Sequence, residues 1–254
     1  MREKTIDFGF EDIPVEEKVG RVRDVFNSVA TKYDRMNDAM SFGVHRLWKS
    51  MTITRINPQP GETLIDVAGG TGDLARRFLA CADKVRARRG GGAARAIICD
   101  INHEMLMAGI NPQKDKGLDI TRVCGNAESL PFPDRCADAL TIAFGIRNVT
   151  DRQKALSEFY RVLKPGGRLC VLEFSNPPEG ALKALYDAYS FSVIPHLGSL
   201  IAGDKDSYQY LVESIRQFPT QEQFEERVRA AGFTRTGWQD YSGGIAALHW
   251  GWKV

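Results

Sequence analysis

The stretch Leu64-Ile65-Asp66-Val67-Ala68-Gly69-Gly70-Thr71-Gly72-Asp73 decides how the rest of the chain reads. An apolar run ends in an acid, and a glycine-rich turn follows. Asp73-Leu-Ala-Arg-Arg-Phe-Leu79 then carries apolar residues at helical spacing. That succession is strand, tight turn, helix: the first βα unit of an open α/β sheet. In such sheets ligands bind beyond the carboxyl ends of the strands, near a topological switch point. Gly69, Gly70 and Gly72 allow a sharp turn and let a ligand approach without meeting a Cβ.

Charge narrows the ligand. A dinucleotide site places pyrophosphate at the helix N-terminus, where free N–H groups and the helix dipole favour an anion. Here Asp73 occupies that helix start, where a carboxylate satisfies free N–H groups itself and repels phosphate. Asp66, at the strand end, also suits a cation. A ligand with an ammonium and a sulfonium but no phosphate fits better, and S-adenosylmethionine is such a ligand. The glycine spacing alone does not separate this from a plain tight βα turn.

At 254 residues and 43% apolar content, the chain is long enough for one α/β domain with additions. A net charge of +2 implies no nucleic-acid binding. The cysteines Cys81, Cys99, Cys124, Cys136 and Cys170 form no CxxC pair and read as buried thiols of a reducing compartment. The four histidines are scattered without ligand spacing, so no metal is expected. No apolar run is long enough for a membrane span, and the first ten residues resemble neither a signal peptide nor a presequence.

Residues 1–20 read as polar and loosely held, and a helical pattern runs from Arg21 to Met40. Lys84 to Arg95 reads as a basic, flexible surface loop. Ala96 to Asp100 is the second strand, again ending in an acid, and such an acid commonly accepts hydrogen bonds from ribose hydroxyls. Asp119 to Cys124 is the third strand, whose polar turn Gly125-Asn126-Ala127-Glu128 reaches toward an adenine edge. Ala137 to Phe144 is the fourth, delivering Gly145-Ile-Arg147-Asn148-Val149 to the mouth of the site. A helix over Asp151 to Leu163, a strand over Arg168 to Phe174 and a helix over Pro219 to Ala231 follow. The segment 180–202 is rich in apolar residues and reads as a helix on the sheet or a greasy lid. Strands flanking Ser242-Gly-Gly244 form a closing hairpin. The expectation is an α/β, Rossmann-like, seven-stranded and mostly parallel sheet. It has an antiparallel C-terminal hairpin, an N-terminal helical arm over 1–58, a ligand-binding domain over 59–254 and substrate helices near 180–215.

Two long stretches carry a family resemblance. Tyr33-Asp-Arg-Met-Asn-Asp-Ala-Met-Ser-Phe-Gly-Val-His45-Arg-Leu-Trp48 resembles the first signature of the ubiquinone/menaquinone biosynthesis C-methyltransferases. Arg161-Val-Leu-Lys-Pro-Gly-Gly-Arg-Leu-Cys-Val-Leu-Glu173-Phe-Ser175 resembles the second. Asp66 to Asp73, Asn126 to Asp134 and Phe144 to Thr150 are similar too, and the likeness runs from about Gly20 to the C-terminus. It implies a class I S-adenosylmethionine-dependent enzyme that methylates a ring carbon of a polyprenylated benzoquinol or of demethylmenaquinol. By the family pattern Thr71, Asp100, Asn126 and Ala127 are cofactor-binding positions. Ala143 stands where a serine is usual, and Ala68 replaces the first glycine of the general methyltransferase turn.

Carbon methylation needs an electron-rich carbon in line with a methyl donor, and loss of a phenol proton supplies it. Arg147 is the choice for phenolate stabilisation, since a guanidinium stays protonated and is a poor base. Asn148 is expected to hydrogen-bond a ring oxygen or a relaying water, and Tyr33 to shape the pocket from the arm. Asp34 and His45 are weaker candidates for the proton acceptor. The apolar tail implies peripheral membrane contact through 180–202 and the arm. A homodimer or a quinone-synthesis complex, and the bacterial cytoplasm beside the inner membrane or a trimmed organellar setting, complete the expectations. The rivals are an O- or N-methyltransferase of another apolar molecule, a nicotinamide-dependent oxidoreductase, and a non-catalytic scaffold.

Overall fold

The computed structural model describes residues 5–29, 37–38, 41, 43–178, 180, 186, 188–190, 192 and 205–254. The strand of the decisive stretch is β3 (Thr63–Val67), and all five of its residues are buried. Leu64 joins a core on one face of the sheet, with Phe78, Ile98 and Phe174. Ile65 and Val67 join a second core on the other, with Leu140, Phe159 and Phe224. A strand covered on both faces carries apolar residues toward each core, which is why Leu64, Ile65 and Val67 do not alternate with polar ones. The helix that follows, α3 (Asp73–Arg89), buries Leu74, Ala75, Phe78, Leu79 and Ala82 as one stripe. It begins at Gly72, whose φ of 82° suits glycine and where a Cβ would lie 2.5 Å from Ile98 Cδ1.

The main sheet has seven strands in the order β5-β4-β3-β6-β7-β9-β8. They are β4 (Arg95–Asp100), β5 (Ile120–Cys124), β6 (Ala137–Ala143), β7 (Leu163–Phe174), β8 (Thr234–Tyr241) and β9 (Ala246–Trp252). β3 to β7 pair in parallel, and β9 runs antiparallel to both β7 and β8. The expected sheet and terminal hairpin are therefore present. The chain steps outward from β3 to β4 and β5, then returns to place β6 on the other side of β3. That reversal is the switch point at which a ligand is expected.

The other helices are α1 (Val15–Val29), α2 (His45–Ile56), α4 (His103–Ala108), α5 (Arg152–Val162), α6 (Lys205–Arg216) and α7 (Gln221–Ala230). Asp151 caps α5 by accepting the Lys154 N–H, and Thr220 and Gln223 close a capping box on α7. Trp48, Ile53 and Ile56 of α2 belong to the first core, so α2 packs directly on the sheet assembly.

Four expectations need correction. Residues 5–14 are not loose: Thr5–Phe8 and Glu11–Pro14 pair as an antiparallel hairpin, β1 and β2. The helix after it starts at Val15 rather than Arg21. The first half of the supposed basic loop is helix, because α3 continues to Arg89 and stops at Gly90. Its final turn carries Arg86, Arg88 and Arg89, which suit the negative end of the helix dipole. Finally, Cys99 and Cys170 are buried, but Cys124 is exposed.

Candidate functional site

The turn after β3 forms the floor of a cavity of about 1100 Å³ including its open mouth. Gly70 has a φ of 49°, and a Cβ there would sit 3.0 Å from Met105 Cε and 3.9 Å from Asp100 Oδ2. The space a side chain would fill is thus left open beside the strand-end acid. The Gly70 N–H donates to Asp100 Oδ2 at 2.9 Å and the Asn102 N–H to Oδ1 at 2.8 Å. Burial outweighs those two bonds and raises the Asp100 carboxyl to about 6.

Asp66 is more deeply set. It is 1% exposed and accepts the Thr141 hydroxyl at 2.6 Å. Burial pushes its carboxyl up to about 7, against the pull of that hydrogen bond. Asp73 behaves in the opposite way. Burial raises it, but Lys49 Nζ at 3.1 Å and Arg77 Nε at 2.9 Å more than offset the effect and hold it below the ordinary value. It does not cap α3: Gly72 is the N-cap, without a side-chain bond. Asp73 is therefore a neutralised acid, and the negative charge facing the cavity resides on Asp100 and, in part, Asp66.

The third wall is the turn after β5, with Asn126, Ala127 and Glu128, and the fourth is the segment from Ala143 to Thr150. Val19, Val22, Arg23 and Phe26 of α1 form the roof. A hydrogen bond of 2.9 Å from Asn102 Nδ2 to Asn27 Oδ1 fastens that roof to the end of β4.

One cavity thus collects Asp66, Gly69, Gly70, Thr71, Asp100, Asn126, Ala127, Ala143 and Asn148 from the positions chosen on sequence. Gly72 and Arg147 are not on its wall. Tyr33, Asp34 and most of segment 180–202 lie outside the described residues. His45 is buried and bonded through Nε2 to Asp38 Oδ1 at 2.9 Å, away from the cavity, and burial lowers its pKa.

Arg147 lies behind the cavity wall, in a buried ion pair. Its guanidinium donates to Glu173 Oε1 at 2.6 Å and to the Phe144 carbonyl at 2.7 Å, and both partners of the ion pair are almost fully buried. Its backbone N–H also reaches Glu173 Oε2 at 3.2 Å. Through Nη1 the guanidinium therefore fastens the Gly145–Val149 turn to β7, while its Nε and Nη2 have no hydrogen-bond partner among the described residues. Sequence reasoning missed Lys49, Asn102 and Tyr210, because each acts through a partner distant in sequence. Glu173 did carry a signal, since a carboxylate within a buried apolar strand needs a cation.

A model of the ubiE/COQ5 methyltransferase family matches residues 14–253. The chain belongs to the ubiE/COQ5 methyltransferase family. A relative from Caulobacter vibrioides strain NA1000, named ubiquinone/menaquinone biosynthesis C-methyltransferase UbiE, is 54% identical over 254 residues, covering 100% of both chains. A relative of the same name from Ruegeria sp. strain TM1040 is 52% identical, covering 99% of this chain and 98% of its own. Among solved structures, a methyltransferase complex from Haloferax volcanii superposes with a TM-score of 0.63 at 18% identity, covering 91% of this chain and 97% of that one. A SAM-dependent methyltransferase from Thermotoga maritima gives 0.60 at 20% identity, with 91% and 99% covered. Membership makes the chain a methyltransferase and bears out the resemblance, the fold class and the enzyme class expected from sequence. No described helix is long and apolar enough to cross a membrane.

Proposed function

We propose that this enzyme transfers the methyl group of S-adenosylmethionine to a ring carbon of a polyprenylated benzoquinol, of demethylmenaquinol, or of both. The observation that carries the proposal is that one cavity joins the acid-and-glycine cradle of Gly70 and Asp100 to the wall that bears the Asn148 amide. The cradle fits the donor: its glycine face is open, its strand-end acid is poised to accept hydroxyls, and its ionised acids suit a cation. When bound, S-adenosylmethionine supplies an electrophilic methyl on a sulfonium.

The chain's own residues do the rest. Asp100 accepts from hydroxyls at the end of β4, and the turn at Asn126 and Ala127 borders the same space. Asn148 offers its amide to a ring oxygen of the acceptor. The apolar roof of Val19, Val22 and Phe26 keeps water from the reacting pair. Holding two reactants in line can supply roughly 7–11 kcal/mol of the barrier. Arg147 keeps the Asn148 turn in place. Tyr33 is assigned to the acceptor side from its sequence signature alone. The acceptor's tail makes peripheral contact with a bilayer part of the same proposal, by way of segment 180–202.

The experiment is to incubate the full chain with S-adenosylmethionine and a short-chain prenyl hydroquinone, or a demethylmenaquinol, under reducing conditions. A product heavier by one methylene, methylated on carbon, supports the proposal. A product methylated on oxygen, or none with either acceptor, refutes it. Liposome co-sedimentation tests the membrane contact: equal binding by wild type and a Phe191→Asp, Ile194→Asp variant rules out segment 180–202 as the contact.

A further inference from the structure

The Asn148 side chain is held from behind. Tyr210, on α6, donates its hydroxyl to Asn148 Oδ1 at 3.0 Å. The Tyr210 ring is buried, and it stacks on Phe8 of β1 with ring centres 4.2 Å apart and planes 20° from parallel. A buried phenol needs an acceptor for its proton, and turning the amide over would leave that proton unpaired. Burial drives the ionisation of Tyr210 above the usual range, so the group remains an O–H donor. The amide oxygen is therefore committed to Tyr210. The amide nitrogen has no hydrogen-bond partner among the described residues, and Asn148 lines the cavity.

We propose that Tyr210 is a positioning residue that fixes the Asn148 amide with its nitrogen toward the cavity, so that the site selects acceptors presenting a ring oxygen. The proposal rests on the hydroquinone reading given above. A fixed N–H donor favours an oxygen that is gaining negative charge, whereas an amide free to turn offers a donor only part of the time. Tyr210 itself touches neither reactant. Phe8 holds the tyrosine ring in place, so the N-terminal hairpin helps to set the acceptor side of the cavity.

The test is steady-state methyl transfer by the full chain, with S-adenosylmethionine and a short-chain prenyl hydroquinone, in four forms: wild type, Tyr210→Phe, Asn148→Leu and the double variant. Tyr210→Phe keeps the ring against Phe8 and removes only the hydroxyl. The expected result is a fall of about tenfold in kcat, with KM for S-adenosylmethionine within about twofold. Added to Asn148→Leu, the same change should cost nothing further. A kcat within about twofold of wild type, or the same loss in both backgrounds, overturns the proposal. A second readout does not depend on turnover. The Asn148 side-chain amide pair in a proton–nitrogen correlation spectrum, identified by its absence from Asn148→Leu, should shift or broaden in Tyr210→Phe. Unchanged resonances overturn the proposal. Should the wild type methylate no hydroquinone, the proposed function falls, and the amide spectrum alone decides the role of Tyr210.

Discussion

Asp66→Asn should make this protein more stable at neutral pH, and by an amount that depends on pH. Asp66 is fully buried, and its carboxyl is raised from an ordinary 3.8 to about 7. Between those two values the folded protein keeps a proton that the unfolded chain releases, so stability falls as pH rises and the loss is complete only above about 7. Each tenfold change in proton affinity is worth about 1.4 kcal/mol, so the carboxyl costs about 2 kcal/mol at pH 5 and about 4 kcal/mol at pH 8. Asparagine retains an oxygen to accept the Thr141 hydroxyl, now 2.6 Å from Asp66 Oδ1, and cannot ionise. Urea denaturation at both pH values reads the difference. The variant should gain about 2 kcal/mol more at pH 8 than at pH 5, and its melting temperature at pH 8 should rise by roughly 8–16 °C. The same variant should bind S-adenosylmethionine more weakly, since it loses an acid from the cavity wall. Equal gains at the two pH values, or no gain at pH 8, would refute the reasoning about burial.

Other consequences can be measured as directly. A bound cation favours the ionised form of Asp100, now about 6, so affinity for S-adenosylmethionine should rise roughly tenfold between pH 5 and 7.5. Calorimetric titration checks this, and Asp100→Asn should reduce the slope and leave the part that Asp66 contributes nearer pH 7. Glu173→Gln leaves the buried Arg147 guanidinium without its counter-charge and should cost about 3–5 kcal/mol of stability, measured by denaturation. At Gly145 a Cβ would lie 2.6 Å from the Ala68 Cβ, so Gly145→Ala should destabilise by about 1–3 kcal/mol. Ala68→Gly should restore much of that loss in the double variant, because Ala68 itself holds a φ of 47°. Additive losses in that pair would contradict the contact.

What could be read without coordinates was whatever announces itself locally. Leu64, Ile65 and Val67 are buried on both faces of the sheet, so these residues do not alternate with polar ones as in a half-exposed strand. The acids Asp66 and Asp100 interrupt such runs near their ends, and the glycines between Gly69 and Gly72 mark the turn. The N-terminal hairpin announced nothing, since its strands are four residues each and Ile13 is their one buried residue. The last two turns of α3 were taken for loop because the buried stripe ends at Ala82, while the helix continues on arginines. Arginine is a good helix former and needs no buried face to continue one. Arg147 reads as a cation facing the site because it stands in the polar turn after a buried strand. Only the fold reveals that Glu173, on the adjacent strand, claims the guanidinium.

The roof over the cavity has a consequence for the order in which the molecule assembles. The N-terminal hairpin is held through Phe10 N to Glu213 Oε2, two groups 203 residues apart, and through the stack of Phe8 on Tyr210. β3 to β7, by contrast, pair over much shorter separations and bury most of the core. Loop closure is entropically costlier the longer the chain between partners, and contacts of this span tend to form late. The sheet can therefore be complete while α1 still stands away from it. The hairpin precedes every strand of the main sheet in the chain, yet it must wait for α6 before it can settle. The same ranking runs backwards in the folded protein: amides of β1 and α1 should exchange with solvent long before those of β3.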